Sequence, residues 1–175
     1  RFNAIMQTLW KHAFCCAVGS RWLAQKVGFA AQAQEAFLGG LLHDLGKLFL
    51  LKSLEEVSRE ERFKGGVIQP VLREVLATLH VEQGHQLMVQ WQLPQIYCDI
   101  VAAHQQERWD QANVLLAMVR LSNLTCRKLG VGLNRDPSVL LFASVEAQVL
   151  GLKETALAEL EIIIEDNAKT PVLSH

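Results

Sequence analysis

An all-α fold of about seven or eight helices is predicted by three features of this chain. Apolar residues recur every three or four positions along most of its 175 residues. No segment alternates with period two for long enough to form a convincing strand. Glycine and proline break the helical pattern near Gly28, at Leu93-Pro94 and from Gly130 to Pro137.

The elements follow in order. Trp10, Phe14, Val18 and Trp22 are spaced by four and predict the buried face of a first helix, which closes near Gly28. At 100° per residue His12 lies about 200° round from Trp10, in line with Cys16, Gly19 and Leu23. That helix is therefore expected to be buried on two sides, one of them small-residued and carrying a histidine. Gln32 opens a central helix, whose stretch Ala36 to Leu51 reads AFLGGLLHDLGKLFLL. Thirteen of its sixteen residues are apolar or glycine, and His43, Asp44 and Lys47 interrupt it in the middle. Burying a carboxylate, an imidazole and an ammonium there costs several kcal/mol unless each finds a partner. A divalent cation is the obvious candidate, because imidazole nitrogen and carboxylate oxygen together suit zinc, iron or manganese. A structural His–Asp hydrogen bond is the alternative.

Leu54 to Arg62 reads as a solvated helical turn and Lys64-Gly65-Gly66 as a loop. Pro70 fits the first turn of an amphipathic helix built on Val71, Leu72, Val75, Leu76 and Leu79. His80 shares an apolar stripe with Gly84, Leu87 and Trp91, whereas His85 is offset and expected at the surface. After Leu93-Pro94, Ile96, Ile100 and His104 are spaced by four, so His104 ends a core-facing stripe. Asn113 to Leu129 is the next helix, with Leu115, Val119, Asn123 and Cys126 on its inner line. Asn123 is thus an inward polar group in need of a partner. Ser138 is positioned to cap a helix running to Leu150. Lys153 to Asn167 is a last amphipathic helix, with Leu157, Leu160, Ile163 and Ile164 inward.

Composition narrows the function classes. With 50% hydrophobic and 20% charged residues the chain reads as one globular domain over residues 1–175. A net charge of −1 without a basic block argues against nucleic-acid binding. The longest apolar run is interrupted before it reaches the roughly 18 to 20 residues of a membrane span, and nothing resembles a signal peptide. Cys15, Cys16, Cys98 and Cys126 show no CxxC spacing, which suggests reduced thiols in a cytoplasmic protein and disfavours a thiolate metal site. Arg1 already lies within a helical pattern, so the chain reads as a fragment of a longer one lacking its N-terminal part.

His12, His80, His104 and Asn123 each stand alone on an apolar helical line, and with His43-Asp44 they make a candidate cluster from five places in the chain. This ordered set resembles the HD superfamily of metal-dependent phosphohydrolases, helical bundles with a histidine, an HD doublet and a distant aspartate. The closer likeness is to the HDOD family, the HD-related output domain of bacterial signalling proteins. It is carried by Trp10-Lys11-His12, by Phe37 to Lys47, by His80-Val81-Glu82-Gln83-Gly84, by Trp91 to Pro94, by Ile100 to His104 and by Val119 to Asn123, over about residues 8 to 130. The resemblance implies an HD-like helical bundle in which His12, His43 and Asp44 match metal-ligand positions. His80 and His104 would then resemble the added histidines of two-metal relatives. Lys47 would steady an anionic phosphate if the domain were a hydrolase. The implied cofactor is a divalent cation (iron, manganese, zinc or magnesium). Asn123 stands where a hydrolase carries its final aspartate, Ala103 precedes His104 where paired histidines are frequent, and a GYP-type motif is absent. These departures lean away from an enzyme, leave open whether the site is filled, and favour a degenerate regulatory module. Its expected partners are other signalling proteins or a fused sensor or receiver domain, with no membrane and an open oligomeric state. The alternatives are a phosphohydrolase acting on nucleotides or cyclic dinucleotides, and a plain helical scaffold with a hydrogen-bonded polar core.

Overall fold

A computed structural model describes residues 2–59 and 69–170. Eight α-helices and two short 3₁₀ turns occur among them, and no strand does. The helices are α1 (Phe2–Lys26), α2 (Ala33–Leu42), α3 (Leu45–Ser58), α4 (Gln69–Gln90), α5 (Gln95–Ala103), α6 (Val114–Leu129), α7 (Val145–Val149) and α8 (Glu154–Lys169). The expected Lys64-Gly65-Gly66 loop lies outside the described residues.

Helix α1 is the axis: it packs on α2, α6 and α8 and touches α3, while α4 pairs with α3 and α5. Its buried stripe comprises Leu9, His12, Ala13, Cys16, Ala17, Ser20 and Leu23, all small or medium-sized apart from the leucines and the histidine. The aromatic line expected to be buried is only half so. Val18 is inside and Trp22 half-buried, but Trp10 and Phe14 are exposed by 46% and 43%. The cause is close helix approach. A Cβ on Gly40 of α2 would come within 2.6 Å of the Cys16 carbonyl oxygen and 2.8 Å of the Ala17 Cα, a separation that bulky aromatics cannot line. Phe14 instead meets Phe37 edge-on at the rim, 6.5 Å between ring centroids.

The central apolar run is two helices rather than one. Helix α2 stops at His43 and α3 begins after Asp44, whose backbone (φ −106°, ψ 15°) leaves the helical region. The apolar pattern continues across the break because both helices bury a face, so periodicity alone did not reveal it. Helix α3 then runs on to Ser58, taking in much of the segment read as an isolated turn, with Lys52, Glu55 and Arg59 paired on its outer face.

Three clusters make the core. The largest joins Cys16, Leu23, Ile100, Leu121, Leu160 and Ile164 across α1, α5, α6 and α8. A second brings Leu9, Leu48, Leu51, Leu72 and Leu76 together, and a third joins Met88, Tyr97 and Val101. The α4 stripe holds for Leu72, Leu76, His80, Gly84 and Leu87, whereas Val71, Leu79 and Trp91 face outward; His85 is half-buried rather than exposed. No helix starts at Ser138. Its hydroxyl turns back to Asp136, and Ser144 caps the short α7 by accepting from the Ala147 amide at 3.2 Å. Helix α8 matches expectation closely, with Ile163 half-buried.

Helices α3 and α4 cross backbone to backbone at Gly46 and Gly84. A Cβ on Gly46 would overlap the His80 carbonyl oxygen, so this crossing admits nothing larger than glycine. Gly46→Ala is expected to lower the unfolding free energy by about 3 kcal/mol, the upper range for overpacking. A lower urea midpoint at unchanged m-value would report it.

Candidate metal centre

Four imidazoles from four helical segments close around one carboxylate. His12 comes from the middle of α1, His43 from the end of α2, His80 from α4 and His104 from the C-terminal end of α5. Asp44 sits at the α2–α3 break and is 4% exposed, and the four histidines are 0–7% exposed. Its Oδ2 lies 3.4 Å from His12 Nε2 and 3.6 Å from His43 Nε2. Its Oδ1 lies 3.5 Å from His80 Nε2 and 3.4 Å from His104 Nε2. The carboxylate therefore presents one oxygen to each of two imidazole pairs.

The other nitrogen of every ring is already engaged. His43, His80 and His104 each donate Nδ1–H to the carbonyl three residues back, Gly40 at 2.7 Å, Ala77 at 3.1 Å and Val101 at 2.8 Å. His12 donates Nδ1–H to the Val131 carbonyl at 2.8 Å. In His43, His80 and His104 these bonds select the tautomer whose Nε2 is a bare lone pair aimed inward, the second-shell arrangement of metal-binding histidines. The Val131 carbonyl reaches His12 because Gly132 (φ +130°) lets the loop lie over the ring; a Cβ there would stand 3.0 Å from His12 Nδ1.

Charge follows from burial. It pulls His43 down to about 3 and His80 to about 4, so both rings are neutral at pH 7. Burial opposes charge on His12 as well, but hydrogen bonds to Asp44 and Cys126 outweigh it and carry that ring up to about 10. Burial would raise the Asp44 carboxyl, yet the surrounding imidazoles and Lys47 hold it well below the usual carboxylate range. Lys47 Nζ sits 2.7 Å from Asp44 Oδ2. One lysine does not satisfy the set: His43 Nε2, His80 Nε2, His104 Nε2 and Asp44 Oδ1 are buried without any hydrogen-bond partner.

Acceptors facing acceptors repel unless a cation stands among them, and the donor set fits one. Ligand atoms about 2.0–2.2 Å from a metal lie roughly 3.0–3.4 Å from one another, close to the 3.4–3.6 Å seen around Asp44. Asp44, His80 and His104 form one ligand group; His12, Cys16 and His43 form another. Asn123 is half-buried and lines the same cavity of about 520 Å³, as do Lys47, Arg73 and Glu74.

Two features escaped the sequence reading. Cys16 lies 3.7 Å from His12 Nε2 and 3.6 Å from Cys126, so two thiols adjoin the centre although no CxxC spacing announced them. Both are free, as are Cys15 and Cys98. Burial pushes Cys16 well above the ordinary thiol value and Cys15 to about 12, while the hydrogen bond from Cys16 draws Cys126 down to about 6. The sequence had placed Cys16 in line with His12, four residues on, but the missing CxxC spacing was read against a thiolate site.

The second feature is Arg120. It reaches the end of α5 from α6, donating from Nη1 to the carbonyls of Ala103, His104 and Gln106 at 2.9–3.0 Å. Its Nε pairs with the buried Glu146 at 2.7 Å, and its guanidinium lies over Trp109. Helix-end carbonyls need such donors, and here they hold the turn that carries His104. Arg120→Met would leave Glu146 buried and unpaired, at a cost of about 3–5 kcal/mol. Adding Glu146→Gln should recover part of that loss, and a double-mutant cycle in urea measures the coupling.

The family model described as "HDOD domain" matches residues 2–107. An uncharacterized protein of Treponema pallidum (strain Nichols) is 25% identical over 130 residues, which is 69% of this chain and 25% of that protein. The crystal structure of an HDOD domain protein with unknown function from Geobacter sulfurreducens has the same fold, with a TM-score of 0.65 at 20% identity, covering 92% of this chain and 62% of that one. The chain thus spans a quarter of the first relative's length and under two thirds of the second's. Among the described residues no helix is long and apolar enough to cross a membrane. With well over half its length matched, the chain belongs to the HDOD domain family.

Proposed function

We propose that this chain is a regulatory HDOD module of bacterial signalling, built on an internal metal centre and acting through partner proteins or a fused sensor rather than by hydrolysis. One observation carries the metal assignment: inward imidazole lone pairs and a carboxylate oxygen are buried together without donors. His12, His43, Asp44, His80 and His104 would hold the cation, with Asn123 lining the cavity beside them. A divalent ion bound there supplies Lewis acidity toward a water or a phosphoryl oxygen.

Two features of the residues weigh against turnover. Among the described residues Asp44 is the one carboxylate within ion-pair distance of the imidazoles, so the ligand set itself carries a single carboxylate against a divalent charge. Lys47 is committed to Asp44 at 2.7 Å instead of standing free for a phosphate. A phosphohydrolase acting on nucleotides or cyclic dinucleotides remains the second reading, favoured by the cavity of about 520 Å³ against the cluster, which Arg73 and Lys47 line.

Elemental analysis of purified protein should find iron, manganese or zinc, and Asp44→Asn should remove it. Stripping the metal with chelator should lower the melting temperature. A cation at a hundred times its dissociation constant stabilises the native state by about 2.7 kcal/mol, and the shift should vanish in Asp44→Asn. The loaded protein, offered phosphomonoesters and cyclic dinucleotides, is expected to give no turnover above buffer. Turnover abolished by Asp44→Asn would establish the hydrolase reading instead.

A further inference from the structure

We propose that Cys16 is itself a metal ligand, supplying a thiolate to the position bounded by His12 and His43. That makes it a nitrogen–sulfur site of the zinc class, beside a harder position formed by Asp44, His80 and His104. The proposal rests on the metal-binding reading above and concerns the identity of the donors.

The geometry is that of one coordination sphere. Cys16 Sγ stands 3.7 Å from His12 Nε2, and the ligand atoms of Cys16, His12 and His43 all lie within 4.8 Å of one another. With zinc–sulfur about 2.3 Å and zinc–nitrogen about 2.0–2.1 Å, a tetrahedral site separates S from N by about 3.5 Å. His12 and Cys16 occupy successive turns of α1, so a rigid helix sets their spacing, and His43 Nε2 is fully buried and unpartnered. Cys16 donates its S–H to Cys126 of α6 at 3.6 Å, a bond that a metal taking the place of that proton would replace. Cys16 would also add a second anion to a cluster in which Asp44 stands alone, and thiolate with imidazole selects zinc over magnesium or manganese. On binding, the metal–sulfur bond forms as the thiol proton leaves for solvent, with no change of oxidation state. The competing view is a buried thiol that merely donates S–H to Cys126.

Cobalt(II) separates these. The metal-free chain is titrated with cobalt under non-thiol reductant, and two signals are read: visible d–d bands, which report any bound cobalt, and near-ultraviolet sulfur-to-cobalt charge transfer, which reports a thiolate ligand. The wild type should show both. Cys16→Ser should keep d–d absorption, lose the charge-transfer band and bind zinc at least about tenfold more weakly, while Cys126→Ser keeps the band. Cobalt bound by the wild type without charge transfer overturns the thiolate ligand and leaves the metal centre standing. No cobalt bound at all overturns both. Loss of the band in Cys126→Ser with retention in Cys16→Ser assigns the wrong cysteine and overturns the proposal. Should Cys16→Ser fail to fold, zinc X-ray absorption on the wild type and Cys126→Ser decides: a sulfur shell near about 2.3 Å in both supports Cys16, and nitrogen and oxygen neighbours alone overturn it.

Discussion

The fold is arranged around a carboxylate that should not be dry. Asp44 is almost wholly removed from water, and its ionised form is nonetheless the favoured one. An isolated carboxylate in such a place would cost many kcal/mol or take up a proton. It stays charged because Lys47 reaches over from the next turn and His12, held protonated, lies against the same oxygen, while the other three imidazoles close the site around it. Bringing those segments to within hydrogen-bonding range of one another requires backbones to approach closely. That requirement explains the small-residue stripe of α1 and the glycine crossing of α3 with α4.

Rigidity at the centre is local in origin. Three of the histidines bond to carbonyls of their own helices, so their orientation is set as soon as the helix forms. The ends of α2 and α5 supply two of them, at positions where helical carbonyls and side chains are free to turn inward. The fourth depends on distant chain: His12 is held by Val131, and the turn bearing His104 is held by Arg120 and Glu146. These three supports lie beyond residues 2–107, the part matched by the family model. The C-terminal helices are therefore part of how this chain presents its centre, in addition to covering the core.

A preformed set of inward lone pairs would need little reorganisation to take up a cation. The same arrangement is unfavourable when empty, since buried acceptors face each other without protons between them. Stability and any occupancy of the centre would thereby be coupled.

Much of this was legible from residue order. Helical periodicity identified an all-α bundle and set His12, His80 and His104 on inward lines, because spacing of three or four encodes which face of a helix is inward; that those lines meet at the HD doublet was implied by the resemblance to the HDOD family. Three-dimensional packing decided what spacing cannot encode. It broke the central run at Asp44, turned Trp10 and Phe14 outward and placed Cys126 beside Cys16 across 110 residues of chain. It also carried Arg120 to the carbonyls of α5. Periodicity describes one helix at a time, whereas a site assembled from several helices depends on how closely their backbones approach, and that is settled only when the whole core packs.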